Sequence, residues 1–448
     1  MHTTGEHSNG KPVHSEPLLR GTIFRFWLPL ALSHALMSMG MPTINAFVAR
    51  MPEAKLQLGA LGIAFSLAVA VESPVIALLT AAVAVCGDRH SYRLMLGFTL
   101  VICALVTAAM LVLGLTALFD WVVVELIGTP PEIARYVRPA LLALTPFPAA
   151  VAYRRFLQGL MVRFGQTDAV GYGTALRLLV TALVSGGGMV WGGLAGATVG
   201  GVTVGVAILV EAVYTHMASR LSVREVKRER SSKPEDRLTL KKLLRFYWPL
   251  AFNSVIWLCS PFLVSYALAN GAQAIDSLAV WPVVNGQVGI ISSFGFSLID
   301  VVVALLKGPS SAQSLRRFSR ILGIGSLVVL LIFAFTRLGP WWLQRAAGLD
   351  RELIGLGRST LRLTVLFPTI AVALSWLRGL VATADVTDAM AHAGSISVLV
   401  LIGLLALGVF GTDFAACHVA AVALLAARSA EGGWLWRSTS GFRQSLNV

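Results

Sequence analysis

The chain repeats itself. Arg25-Phe26-Trp27-Leu28-Pro29-Leu30-Ala31 returns at an offset of 220 as Arg245-Phe246-Tyr247-Trp248-Pro249-Leu250-Ala251. The same offset pairs Trp121 with Trp341, Glu132 with Glu352, Arg138 with Arg358, Phe147-Pro148 with Phe367-Pro368, and Leu157, Gly159 and Leu160 with Leu377, Gly379 and Leu380. A constant offset across most of each half implies duplication. The duplicate limits the fold to two similar units of the same chain direction, as parallel repeats in transporters are.

What those units are follows from their apolar content. Hydrophobic residues make up 56% of the 448 positions and charged residues 13%, with a mean hydropathy of +0.76, leaving too little polar surface for a water-soluble domain of this size. The apolar runs recur at about the 20-residue length that crosses a bilayer as a helix, and strand alternation is absent. The expected fold is all-α and integral to the membrane, with about 12 transmembrane helices in two six-helix bundles related by pseudo-twofold symmetry. The spans fall at 22–46, 58–84, 93–117, 132–154, 168–190 and 194–217, then 244–268, 277–306, 318–337, 352–378, 389–410 and 413–436. This divides the chain into a polar tail (1–21), a first bundle (22–219), a basic linker (220–243), a second bundle (244–437) and a C-terminal tail (438–448).

The net charge of +14 follows alternate loops instead of one face. The linker is strongly basic, and further clusters are Arg89 with Arg93, Arg154 with Arg155 and Arg163, Lys307 with Arg316, Arg317 and Arg320, and Arg428, Arg437 and Arg443. All fall on one side if both termini are cytoplasmic, so positive-inside topology accounts for the charge and nucleic acid is not an expected partner. The linker is placed to touch anionic headgroups. No short apolar core with a cleavage site precedes the first span, and arginine outnumbers lysine. The expected location is a plasma or bacterial inner membrane.

Enzyme signatures are missing. No phosphate-binding glycine loop, H-E-x-x-H pair or G-x-S-x-G elbow occurs, and Cys86, Cys103, Cys259 and Cys417 have no metal-ligand spacing. No metal, cofactor or catalytic residue is expected. Gly192, Gly196 and Gly200 recur every four residues on one helix face, a packing pattern.

Prolines and buried charges point further. Pro42 and Pro261 lie late in the first helix of each half, one residue off the repeat, where each removes a backbone donor. They are candidate hinges, although fixed packing geometry explains them equally well. Ionisable groups within spans are costly and mark function. Glu72, near the centre of the second span, and His34, mid-way in the first, are candidate proton-coupling residues, with polar helix contacts as the alternative. Arg177 lies about 12 Å into the fifth helix at 1.5 Å per residue, deep enough to imply a water-filled cavity or an acidic partner. Arg138 and Arg358 are repeat mates, and Arg362 extends the pattern. Facing one cavity, these arginines would bind an anion; for Arg138 and Arg362 snorkelling to the interface is the alternative. Glu211 and Asp300 read as structural ion-pairing groups.

The openings of helices one and seven, together with Leu61-Gly62-Ile63-Ala64-Phe65-Ser66-Leu67 and Pro74, resemble the progressive ankylosis protein family. More distantly, the architecture is similar to multidrug and toxic compound extrusion proteins and to polysaccharide or lipid-linked oligosaccharide flippases. The resemblance implies two bundles in a V around a central cavity. It also implies export of small anions, since the animal family is associated with release of pyrophosphate, nucleotide triphosphate or citrate. Of that family's polar positions it carries over Asn45 as a substrate contact. The chain departs from the family where Asn-Arg becomes Asn45-Ala46, where Val69 is apolar and where Glu72 is charged. The acidic residues that couple ions from the first helix of some extrusion proteins are also missing.

The expected function is alternating-access secondary export of a small anionic metabolite, with a proton or sodium ion as candidate coupling partner. A flippase for a lipid-linked pyrophosphate intermediate or a drug exporter is the alternative within transport. A membrane scaffold or transferase is the alternative outside it.

Overall fold

A computed structural model describes residues 20–164, 166, 168–229, 238–258, 260–384 and 388–448. Most of the N-terminal tail, the middle of the basic linker and Cys259 lie outside the described residues.

The described residues form twelve long helical rods. In the first half α1 comprises Arg20–Ser38 and Gly40–Val48, α2 is Ala54–Val85, α3 Arg89–Leu115, α4 Pro131–Ala143 with Pro146–Arg163, α5 Asp168–Trp191 and α6 Gly196–Ala218. In the second half α7 comprises Leu240–Leu258 and Ser260–Asn270, α8 is Ala274–Leu305, α9 Pro309–Phe335, α10 Arg351–Thr383, α11 Asp388–Gly411 and α12 Ala416–Ser438. Eight of these are long and apolar enough to cross a membrane by length and composition: α2, α3, α5, α6, α8, α9, α10 and α11. Of the other four, α1 is interrupted at Met39, α4 carries Glu132, Arg135, Arg138, Arg154, Arg155 and Arg163, α12 carries Arg428, Glu431 and Arg437, and α7 is described on either side of Cys259. Large apolar side chains such as Leu105, Leu183, Val190, Leu407 and Phe410 are exposed, as lipid-facing positions require.

The repeat is written into the backbone. Helices α3 and α9 are both 27 residues long, and their first residues, Arg89 and Pro309, are repeat mates. Glu53 and Gln273, also repeat mates, share a left-handed conformation (φ 53° and 54°) that turns the chain into α2 and α8. A short π-helical stretch follows α3 at Asp120–Leu126 and α9 at Trp342–Ala346.

Breaks in the rods follow the prolines. Pro42 has no N–H to give the carbonyl of Ser38, and Ser38 is where the first segment of α1 ends. Pro146 and Pro148 interrupt α4 in the same way, and Pro74 accompanies the tightening of α2 into a 3₁₀ turn at Ser73–Ile76.

Within each half the fourth rod is central. Helix α4 packs on α2, α3 and α6, with α5 against α6; α10 packs on α8, α9 and α12, with α11 against α12. Helices α1 and α7 instead cross between halves. The first segment of α1 lies on α8, where Ile23, Trp27 and Ala31 share a buried cluster with Leu298, Val301, Leu315 and Trp376, while its second segment lies on α5. Helix α7 mirrors this, its first segment on α2 and its second on α11 and α12. Trp27 Nε1 donates to the Phe294 carbonyl at 3.1 Å, and Tyr247 Oη to that of Pro74 at 2.6 Å. At the end opposite the linker the halves meet directly: Lys55 pairs with Asp276, Asn270 donates to the Ile127 carbonyl, and Arg50 donates to the Ala346 carbonyl at 3.0 Å.

A central cavity and two buried carboxylate clamps

Between the halves lies a cavity of about 550 Å³ where α1, α2, α7, α8, α10 and α12 converge. Its walls are mainly apolar, with Phe65, Trp281, Phe296 and Phe367 among them, and Asn45, Ser66, Asn285 and Ser292 supply neutral polar groups. Asn45 is buried and its side-chain amide donates to the Pro282 carbonyl at 3.3 Å. Pro261 also lines the space, and the Pro42 ring packs against Gly286, which does. The charged groups in the lining are Arg378 and Arg428, on the stretches of α10 and α12 that run toward the linker side.

Both arginines hold Glu431. Arg378 Nε donates to its Oε1 at 3.1 Å, and Arg428 Nη1 to its Oε2 at 3.3 Å, one helical turn away on α12. The Glu431 side chain is 1% exposed, and those of Arg378 and Arg428 are each 26% exposed. A carboxylate so deep is tolerable because two guanidiniums neutralise it.

Glu211, the repeat mate of Glu431, sits in a second clamp. Arg154 Nη1 approaches its Oε1 to 2.7 Å and Arg177 Nη1 its Oε2 to 3.5 Å; the acid is 0% exposed, Arg154 5% and Arg177 15%. Glu72 is buried nearby, with Arg155, Arg154 and Arg177 as its charged neighbours, and among the described residues it forms no ion pair within 4 Å. None of these five residues is in the lining of the central cavity.

The remaining residues named from sequence sit elsewhere. Arg138 forms a two-bond pair with Asp120 at 2.8 Å and lies over the Phe119 ring. Arg358 donates to the carbonyls of Ala334 and Phe335, and Arg362 to that of Ala334, so both satisfy the open C-terminal carbonyls of α9. The structure therefore does not gather Arg138, Arg358 and Arg362 around the cavity. His34 Nε2 lies 3.9 Å from Asp300 Oδ2, linking α1 to α8.

Two basic residues grouped with the loops belong inside. Arg154 and Arg428 are held by buried acids within the helices, because each lies within reach of Glu211 or Glu431 on a neighbouring or the same rod. Sequence reasoning also passed over Arg378 and Glu431. The repeat could have found Glu431, since it is Glu211 displaced by the common offset.

No protein-family model and no curated protein matches the chain. Solved structures do. An inward-facing multidrug-resistance transporter of the MATE family, within the MOP superfamily, superposes with a TM-score of 0.73 over 94% of this chain and 98% of its own, at 12% identity. The lipid II flippase MurJ, in an inward closed conformation, gives 0.62 over 92% and 87%, at 12% identity. A MOP-superfamily transporter from Pyrococcus furiosus, described as having a binding pocket of reversed polarity, gives 0.57 over 96% and 97%, at 14% identity. The likeness is one of fold: this chain has the all-α membrane architecture of those transporters.

Proposed function

We propose that the protein is a secondary transporter that exports a small organic anion with an apolar part, binding it in the central cavity by alternating access. The carrying observation is the cavity itself: it lies between the repeat-related halves, has aromatic and aliphatic walls, and ends in two guanidiniums that share one carboxylate. Apolar walls with a few convergent polar groups suit a small organic ligand. Arginine forks suit its carboxylate or phosphate. The fold shared with MATE and MurJ structures supports transport, and the lack of a nucleotide-binding loop supports a gradient as the energy source.

Within this reading Asn45, Arg378 and Arg428 contact the cargo, and Pro42 and Pro261 mark where α1 and α7 bend as the halves rock. Arg177 is a member of the Glu211 clamp and not a cargo ligand. A coupling role for Glu72 or His34 would act through the arginine cluster or the α1–α8 contact, since neither lines the cavity. The basic loops support an orientation with both termini in the cytoplasm.

Metabolites in the medium of cells making the intact protein, compared with cells making an Arg378→Ala, Arg428→Ala variant at equal membrane abundance, test the proposal. Accumulation of a carboxylate- or phosphate-bearing metabolite with the intact protein alone is the expected result. No difference in soluble metabolites, with transfer of a lipid-linked pyrophosphate across vesicle bilayers, would replace export by flipping.

A further inference from the structure

The Glu431 clamp differs from the Glu211 clamp in one respect that bears on mechanism: its two arginines form part of the cavity wall. An anionic group entering the cavity meets guanidiniums that are already engaged by a carboxylate of the protein. Like charges cannot both keep the same two arginines at full strength, so entry of one weakens the hold on the other. Glu431 is buried on its remaining sides, and a carboxylate that loses its partners there is far more stable as the neutral acid.

We propose that Glu431 is a resident counter-anion of Arg378 and Arg428, exchanged for the anionic group of the cargo and protonated as it is displaced, so that one proton accompanies each anion bound. The proton comes from water on the side to which the cavity is open. It adds to one carboxylate oxygen as the guanidiniums transfer their hydrogen bonds to the cargo, and it leaves when the cargo departs and the clamp closes again. The inference rests on the anion-binding reading above and adds a proton that travels with the cargo, and its site; export then draws on the outward gradient of the cargo, with the proton carried out alongside it.

The surroundings of Glu431 single it out for this exchange. Arg378 reaches it from α10 and Arg428 from its own helix. Helix α11 contributes His392, whose ring lies 6.1 Å from that of Trp434, one turn from Glu431 on α12. Helix α7 presents Ser260 and Ser265 to the cavity, and α8 presents Asn285 and Ser292, all uncharged. Elsewhere on α12, Cys417 accepts from Thr360 and His418 bonds to Ser359, both about 20 Å along the helix at 1.5 Å per residue, and Arg437 lies six residues beyond Glu431. The repeat mate Glu211 has the same carboxylate in the same place, but its arginines do not line this cavity.

Binding of benzenesulfonate to the full-length protein in detergent tests the exchange. This probe keeps its charge from pH 5.5 to 8, so any pH dependence belongs to the protein. The proposal expects uptake of about one proton per probe bound, and affinity falling about tenfold per pH unit over the range where that uptake is complete. Glu431→Gln should bind more tightly at pH 8 and lose the pH dependence; Arg378→Ala and Arg428→Ala should bind at least tenfold more weakly. Should Glu431→Gln fail to fold, Glu431→Asp must shift the pH at which affinity falls. Equal affinity in wild type and Glu431→Gln without proton uptake, or an unshifted profile in Glu431→Asp, overturns the exchange. If the arginine variants still weaken binding in that case, the anion cavity stands. No binding, or binding indifferent to Arg378 and Arg428, overturns both.

Discussion

The two buried glutamates are repeat mates, but the clamps around them are different devices. Glu211 and Glu431 hold the same place in the repeat, on the sixth helix of each half, and both are almost wholly buried. Their arginines come from unrelated positions. The repeat counterparts of Arg154 and Arg177 are Leu374 and Ser397, and those of Arg378 and Arg428 are Gln158 and Ile208. One clamp is sealed among α4, α5 and α6 and ties them together; the other borders the cavity. A buried acid thus constrains its half to supply two cations, while the places that supply them decide whether the cations can also serve a ligand.

The largest predicted contrast is in stability. Glu211→Gln leaves Arg154 and Arg177 buried without their acid and should cost about 3–5 kcal/mol, seen as a lower unfolding midpoint in detergent. Glu431→Gln should cost clearly less, because its arginines reach the cavity and can take up water there. Replacing Glu211, Arg154 and Arg177 together by Leu, Met and Met should recover most of the loss, as hydrophobic replacements of buried ion triads do. Equal losses for the two single variants would erase the distinction between a sealed and an open clamp.

A smaller contrast concerns the repeat-related glycines at the centre of each half. A Cβ on Gly159 would meet Ala82 Cβ at 2.6 Å and the Leu79 carbonyl oxygen at 2.7 Å, whereas one on Gly379 would meet Val302 side-chain atoms at 2.7 Å. Backbone yields less than a side chain. Gly159→Ala should therefore destabilise by about 1–3 kcal/mol and exceed Gly379→Ala in a paired unfolding measurement.

Smaller still is the side-chain N-cap that α3 possesses and α9 lacks, although Ser311 Oγ accepts from the Gly308 N–H as Ser91 Oγ does from that of Asp88. Asp88 accepts from the Ser91 N–H at 2.8 Å at the start of α3, and its counterpart at the start of α9 is Gly308. Asp88→Ala should cost about 1 kcal/mol, and Gly308→Asp should gain up to about that much, since Gly308 is already extended as an N-cap is. Unfolding midpoints of the two variants, moving in opposite directions, check this. Least of all, Arg138→Ala should change stability by less than about 1 kcal/mol, because Arg138 and Asp120 are both exposed. An unchanged midpoint, with unchanged transport, would confine that pair to the periphery.

Much of the architecture was legible because it rests on local rules. Apolar runs of bilayer length appear as long rods, and the prolines mark their breaks, since a missing N–H acts on the carbonyl four residues before it whatever the surroundings. The cavity was legible only in part. Asn45 and Pro261 line it, but Arg138, Arg358 and Arg362 looked equally suited and spend their donors on Asp120 and on the last carbonyls of α9. An arginine in an apolar run announces that it needs acceptors without saying where they are.

By itself, then, the sequence determined a duplicated all-α membrane chain, the approximate placement of its helices and the interruption of α1 near Pro42, because periodicity, hydropathy and missing donors act within a turn or two of each residue. Only the tertiary structure decided that α1 and α7 cross between halves, that Glu431 meets Arg378 from another helix, and that this clamp and not its twin borders the cavity. Those outcomes depend on which helix faces turn toward one another. Packing sets them among residues far apart in the chain, where a side chain's charge and length leave many partners open.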